Sequence, residues 1–316
     1  MDFTQLYGFF NTIITLFILL IVGFICGKTG VIDSVASKKL SALIIKVGQP
    51  ALIIYSLIKM DYSAKNLSLG LWTLLFGFII HGVLAVIAYF TFMNIKDLNE
   101  RKLLEFSAVF GNVGFLGIPI LESVLGDTGA FMGAFFVVSF NVVLWTWGIS
   151  ILARKRSDIK LTPKKLLNFG TVPCFIGFIL FICCKPFFNF PTFVMSGLSY
   201  TASLCTPISM LIIGALLATR TAKQIFASPK VYLLSLFKLL LMPVLVCVVL
   251  KLLGLDDWIL FAATVVGMPS ATTVTMLAEL YDVNPGFSAQ AVGTTSLFSV
   301  ITMPLVIFFA QFLVQL

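Results

Sequence analysis

Hydrophobic residues form long, nearly unbroken runs along this chain, and polar residues are confined to short stretches between them. A membrane-spanning helix needs about 20 apolar residues. Ten segments meet this requirement: residues 6–27, 37–58, 69–93, 103–125, 129–152, 165–184, 192–218, 231–253, 258–280 and 287–314. The pattern predicts an all-α polytopic membrane protein with ten transmembrane helices.

The basic stretch at residues 154–164 divides these segments into two sets of five. We predict a first repeat at residues 1–153, a cytoplasmic linker at 154–164 and a second repeat at 165–316. Lys and Arg concentrate in cytoplasmic loops, and placing the linker inside puts most of the 21 basic residues inside as well. Both termini are then outside. Because five helices is an odd number, the second half enters the membrane inverted, which predicts a 5+5 inverted repeat.

Segments four and nine are interrupted by residues that weaken helices. The first interruption, Gly111 to Pro119, holds three glycines and a proline, and the second contains Gly267 and Pro269. Broken helices are tolerated in a membrane where the freed backbone groups face protein or a water-filled cavity. Interrupted segments at corresponding positions of two halves indicate a transporter binding site. We therefore predict that helices 4 and 9 are broken and cross near the bilayer midplane.

Composition excludes several other classes of protein. The chain of 316 residues is 59% hydrophobic and 11% charged, far from a soluble domain, and its mean hydropathy is +1.09. The net charge of +8 comes from basic residues at the ends of apolar segments, so we expect no nucleic-acid partner. Six cysteines in apolar surroundings and one histidine indicate no metal site, disulfide framework or cofactor. Without a nucleophile and base motif, we expect no enzyme.

Polar side chains at the two breaks are the candidate substrate ligands. The Asn112 amide could donate to a carboxylate or satisfy backbone groups freed by the break. Asn141 has the same alternatives, substrate contact or a helix–helix hydrogen bond. We expect helices to restart after Pro119 and Pro269, and the unpaired N–H groups and partial positive charge of these helix N-termini favour an anion. The remaining candidates are backbone or hydroxyl groups, which could instead bond their own helix: Gly114, Pro119, Pro269, Ser270, Thr272 and Thr273.

Three ionisable side chains within the apolar segments are candidates for charge or proton coupling. Lys46 is predicted to share a helix face with Gln49, and Lys238 lies in segment eight. Either lysine could act in transport or extend its ammonium group to the interface. His81 could carry a proton or be a hydrogen-bonded core residue. Glu105 and Glu122 lie near segment ends, where we expect water to reach them.

Several of these stretches resemble the auxin efflux carrier family, which includes plant auxin exporters and bacterial carriers for malate or malonate. Asn141 falls where the plant carriers have a polar residue, and Trp145 falls where they have a tryptophan. The long hydrophilic loop of the long plant exporters is absent. The matching motifs run from Asn112 through Gly117-Ile118-Pro119-Ile120-Leu121 to Gly126, from Met268-Pro269 to Asn284-Pro285, and over Thr302-Met303-Pro304-Leu305.

The resemblance implies ten helices in an inverted-repeat fold shared with bile acid symporters and sodium/proton antiporters. It implies a scaffold of helices 1, 2, 6 and 7, a transport domain of helices 3–5 and 8–10, and alternating access. The expected function is secondary transport of small organic anions such as malate or auxin-like acids, linked to protons or potential. The alternative is sodium-coupled symport of bulkier amphipathic acids. The expected location is a bacterial inner membrane, and family members can form homodimers.

Overall fold

Helices account for the secondary structure of this computed structural model, which describes residues 3–156, 171–219, 221 and 228–316. The predicted linker beyond residue 156 and the start of segment six lie outside the described residues. Eleven helical stretches are labelled in chain order: α1 Phe3–Lys28, α2 Ser34–Lys59, α3 Ala64–Phe92, α4 Leu98–Val109, α5 Ile118–Leu152 with the preceding π-helical turn Val113–Gly117, α6 Thr171–Cys184, α7 Thr192–Ala218, α8 Pro229–Leu252, α9 Ile259–Gly267, α10 Thr272–Leu280 and α11 Pro285–Gln315.

Six of the described helices are long and apolar enough to span a membrane by themselves: α2, α3, α5, α7, α8 and α11. Segment four divides between α4 and the first part of α5, where Gly126 has φ +66°. Segment nine divides between α9 and α10. The chain is therefore an all-helical membrane protein over the described residues, and both predicted breaks are present. The ten-helix count and the inverted repeat stay predictions.

Wide turns precede four of the prolines in or next to the apolar helices. The π-helical turns Ile44–Gly48, Val113–Gly117, Leu180–Cys184 and Phe237–Leu241 each end two residues before a proline. Proline lacks an N–H group, and its ring clashes with the carbonyl group four residues earlier in a regular helix. A π-helical turn relieves that clash by adding a residue to the turn, and such turns are frequent at functional sites. Lys46 and Lys238 both lie in turns of this kind.

Helices α1 and α7 pack at a distance that only glycine permits. A Cβ atom added to Gly23 would lie 2.3 Å from the Leu211 carbonyl oxygen, and one added to Gly214 would lie 2.1 Å from the Leu20 carbonyl oxygen. Small residues of this kind let helix backbones approach closely in membranes, where packing drives association. The two helices therefore form one closely packed pair.

Candidate substrate site at the two helix breaks

The two breaks pair with each other through their backbones. Gly111 and Ser270 form an isolated antiparallel β-bridge. The Asn112 N–H group donates to the Pro269 carbonyl oxygen at 2.8 Å, and the Ala271 N–H group donates to the Phe110 carbonyl oxygen at 2.9 Å. Backbone groups that leave a helix inside a membrane must find other partners, and here each break supplies partners for the other. We call this pair of breaks, residues 110–112 and 269–271, the crossing.

Position 111 leaves little room for a side chain, because the two breaks approach closely there. A Cβ atom on Gly111 would lie 3.0 Å from the Met268 Cβ atom and 3.3 Å from the Val265 carbonyl oxygen. The sequence pattern indicated that glycine loosens the helix at this point. The tertiary structure adds the steric reason, since a side chain at position 111 would press on the end of α9.

Asn112 lies between the end of α4 and the start of α5, and its side chain is 2% exposed. The backbone carbonyl oxygen of Asn112 accepts hydrogen bonds from the N–H groups of Leu116 at 3.0 Å and Gly117 at 3.1 Å. Its side-chain Nδ2 atom has no hydrogen-bond partner among the described residues. A buried donor left unsatisfied is costly, so this amide is available for a ligand.

The proline residues at the two breaks occupy different positions in their helices. Helical structure resumes at Val113, six residues before Pro119, so the expectation that the helix restarts after Pro119 was wrong. The π-helical turn accommodates Pro119 within the helix and moves the break toward Asn112. At the second break the helix does resume after Pro269, at Thr272.

The hydroxyl group of Ser270 is held by the interior of the protein. Ser270 is completely buried, and its Oγ atom donates to the Ser107 carbonyl oxygen of α4 at 3.1 Å. Its N–H group donates to the Thr295 hydroxyl of α11 at 3.2 Å. Ser270 therefore joins the crossing to α4 and α11, and its hydroxyl proton is already in use.

A cavity of about 510 Å³ reaches the second break from one end of the bundle. Its walls come from α2, α7, α10 and α11. Thr272, the first residue of α10, lies in the wall, and Thr273 beside it is half-buried. The other polar side chains that line it are Ser34, Ser37, Lys38, Ser41, Lys46, Ser209 and Thr275. Among the described lining residues there are two lysines and no carboxylate, so the cavity favours negatively charged molecules.

Gln49 approaches the first break from α2. An atom placed as a Cβ on Gly114 would lie 3.3 Å from the Gln49 Nε2 atom, and the Gln49 side chain is half-buried. Lys46 lies one turn earlier in α2, is exposed and faces the cavity. The sequence analysis paired Gln49 with Lys46 and Gly114 with Asn112. The packing of α2 against α5 brings these two pairs together.

His81 and Asn141 bond within their own helices. The His81 Nδ1 atom lies 2.6 Å from the Gly77 carbonyl oxygen, and the imidazole ring is 2% exposed and packed against Phe110, Phe136 and Phe140. The Asn141 Nδ2 atom donates to the Val137 carbonyl oxygen at 2.9 Å. Asn141 therefore already uses one donor in its helix, whereas the Asn112 amide does not.

A buried ion-pair network ties the start of α4 to the end of α5. Glu105 is 1% exposed, so the expectation that water reaches it was wrong, whereas Glu122 is exposed as predicted. The Arg154 guanidinium donates to both Glu105 carboxylate oxygens, at 3.1 and 2.8 Å, and the Arg101 Nε atom donates to Oε1 at 2.7 Å. The hydrogen bond that Arg101 donates to the Glu105 carboxylate raises the pKa of the Arg101 guanidinium above its ordinary value. Sequence reasoning missed this network because Arg154 was interpreted only as a topology signal.

We expect the Glu105→Gln substitution to destabilise the protein by about 3 kcal/mol, because it leaves two arginines without their buried carboxylate. Thermal unfolding in detergent measures this loss as a lower melting temperature. Glu122→Gln is the matched control, since the Glu122 side chain is 47% exposed and its ion pair contributes little. Equal melting temperatures for the two variants would show that the network does not stabilise the fold.

Comparison with known proteins places this arrangement in a family. A family model described as "Membrane transport protein" matches residues 9–170 and 159–307, which is nearly the whole chain. The chain belongs to this family, that of the auxin efflux carriers. The resemblance found in the motifs around Asn112 and Pro269 is thereby confirmed. The protein is a member of a membrane transporter family.

Relatives with similar sequences are also named as transporters. An uncharacterized transporter of Methanocaldococcus jannaschii is 25% identical over 308 residues, covering 93% of this chain and 96% of the relative. One from Methanothermobacter thermautotrophicus is 24% identical over 306 residues, covering 94% and 97%. A Rhizobium meliloti protein named "Putative malonate transporter" is 25% identical over 223 residues, covering 67% of this chain and 68% of its own.

Proposed function

We propose that this protein is a secondary transporter of small organic anions, such as malonate or malate, that works by alternating access. The observation that carries the proposal is the free Nδ2 donor of Asn112 at the crossing, together with the adjacent cavity lined by Lys38 and Lys46. A carboxylate accepts hydrogen bonds and needs positive surroundings. The name of the rhizobial relative supports the choice of a dicarboxylate.

In this proposal the substrate binds at the crossing, between Asn112, Gly114 and the first turn of α10. The first two N–H groups of α10, those of Thr272 and Thr273, precede the hydrogen-bonded turns of their own helix, and the helix dipole is positive there. Thr272 lies at this helix start and lines the cavity, so an anion that enters along Lys46 meets these groups directly. Gln49 beside Gly114 supplies a second side-chain amide.

We also propose that the helices form two domains that move against each other. The scaffold would consist of α1, α2, α6 and α7, and the transport domain of α3–α5 and α8–α11, as two inverted repeats. The packing supports this division, because α1 lies along α7 and α2 packs against α6 and α7, whereas α3 packs against α4 and α5 and α9 packs against α8 and α11.

An ion cluster joins the two proposed domains at the end of α2 that lies away from the cavity. The Lys59 ammonium lies 3.0 Å from a Glu122 carboxylate oxygen and 2.7 Å from an Asp127 carboxylate oxygen. Lys38 and the cavity are at the opposite end of the same helix. The cavity and the ion cluster therefore lie at opposite ends of α2, and in this proposal the protein alternates between opening at the cavity end and opening at the ion-cluster end. We place the cavity end in the cytoplasm and both termini outside.

Uptake of radiolabelled acids into proteoliposomes tests the proposal. We expect saturable uptake of malonate or malate, with indole-3-acetate as the auxin-like comparison, and no competition from dimethyl malonate, which has the same skeleton without charge. Imposed pH gradients, membrane potentials and sodium gradients identify the driving force. Protein that is folded but moves none of the three acids contradicts the proposal, and strict sodium dependence favours the symporter alternative.

A further inference from the structure

Lys238 is a buried lysine in the middle of α8 that bonds the end of another helix. Its side chain is 2% exposed, and its Nζ atom donates to the Ala108 carbonyl oxygen at 2.9 Å. Ala108 is the next-to-last residue of α4, so its carbonyl group has no partner in its own helix. The lysine thus supplies the hydrogen bond that the Ala108 carbonyl group lacks where α4 ends.

Three donors from two separate parts of the chain, the second break and α8, hold the end of α4. Ser270 bonds the Ser107 carbonyl oxygen, Lys238 bonds the Ala108 carbonyl oxygen, and the Ala271 N–H group bonds the Phe110 carbonyl oxygen. Of these donors, only the lysine side chain is ionisable. The C-terminal end of a helix carries partial negative charge, which a cation stabilises. Lys238 is therefore well placed to fix both the position of Asn112 and the electrostatic potential around it.

Apart from Glu105, the side chains that the structure describes include no buried carboxylate to balance Lys238. Their buried charged side chains are Lys102, Glu105 and Lys238, and the Glu105 carboxylate is already bonded by two arginines. A cation without a counter-charge inside a membrane protein is costly, and such residues mark functional sites. An anion bound at Asn112, four residues beyond Ala108, would supply that counter-charge within about 14 Å along the backbone.

We propose that Lys238 provides the positive charge that balances the bound organic anion, so that substrate binds without a metal cation. Lys238 acts as a positioning residue through α4 and as a source of potential, without contact with the substrate. This inference rests on the proposed transport function and adds to it a specific charge-balancing group.

The test compares malonate binding by purified Lys238→Gln, Lys238→Arg and Lys102→Gln variants in detergent, by calorimetry, with sodium or choline as the cation. Lys102 is the matched control, because it is 1% exposed and its Nζ atom also donates to a backbone carbonyl oxygen, that of Leu152 at 3.1 Å. Gln removes the charge and keeps an N–H donor on a side chain that is one atom shorter, and the same change at Lys102 controls for the difference in length. We expect Lys238→Gln to raise the malonate Kd by roughly fivefold to tenfold, while Lys238→Arg and Lys102→Gln bind nearly as the wild type does.

Each outcome decides the inference. The inference is supported if the wild type binds malonate without sodium, Lys238→Gln binds it more weakly and Lys102→Gln binds it as the wild type does. Lower melting temperatures for both Gln variants with unchanged malonate Kd would make Lys238 a structural residue only and overturn it. Wild-type binding that requires sodium overturns the inference and leaves the transport function standing. Wild-type protein that neither binds nor transports any of the acids overturns the proposed function, and the inference falls with it. If Lys238→Gln does not fold, Lys238→Met, which is close to lysine in length, replaces it.

Discussion

Replacing Asn112 with alanine raises the substrate concentration for half-maximal uptake roughly 10- to 100-fold, if the amide holds a carboxylate as proposed. A hydrogen bond to a charged group contributes about 1.5–3 kcal/mol, and every 1.4 kcal/mol is a factor of about ten in affinity. The Asn112 Nδ2 atom has no partner among the described residues, so alanine removes a ligand contact without breaking a side-chain hydrogen bond of the protein. Malonate uptake into proteoliposomes measures the change, and the melting temperature should stay near that of the wild type.

Asn141→Ala is the matched control for this experiment. Asn141 is 3% exposed, compared with 2% for Asn112, but its Nδ2 atom already donates to the Val137 carbonyl oxygen. We expect it to lower the melting temperature slightly and to leave substrate affinity nearly unchanged. Asn112→Asp adds a second test, because a carboxylate at that position repels an anion and should weaken uptake further than alanine does. Normal affinity in Asn112→Ala would remove Asn112 from the binding site.

Valine at position 111 is expected to abolish transport and to lower the melting temperature. Its Cβ atom would lie 3.0 Å from the Met268 Cβ atom, and the two further methyl groups need space that the crossing does not have. Moving the two breaks apart would break the Asn112–Pro269 and Ala271–Phe110 backbone hydrogen bonds. Overpacking costs about 1–3 kcal/mol, and each buried backbone group left unpaired costs a similar amount. Gly111→Ala should show a smaller loss, because the facing side chain must shift by only a few tenths of an ångström.

Gly82→Val provides the matched control for the crossing. Gly82 lies in α3 and is exposed, and a Cβ atom there would meet nothing within 4 Å. Valine at this position should therefore fold and transport nearly as the wild type does. Uptake and thermal unfolding of the purified variants separate the two positions. A Gly111→Val protein with wild-type uptake would show that the close contact of the two breaks is not needed for function.

The packing around Glu105 illustrates why the sequence alone misplaced some residues. Its position near a segment end indicated contact with water, yet the side chain is buried beneath Arg101 and Arg154. Burial depends on which helices lie against a residue, and the end of α5 reaches Glu105 only in the folded protein. The same reason applies to Ser270, a predicted substrate ligand whose hydroxyl instead donates to the Ser107 carbonyl oxygen, 163 residues earlier.

The sequence by itself determined that this is a helical membrane protein and where its two helices are interrupted. Both properties are local, because the length of an apolar run decides whether it can span a bilayer and glycine and proline act on their own helix. Tertiary structure alone decided that Gly111 lies against Ser270, that Lys238 bonds the end of α4 and that Lys38 and Lys46 share a cavity with Thr272. These contacts join residues far apart in the chain, and they form because each freed backbone group in an apolar interior must find a partner from whichever helix packs beside it.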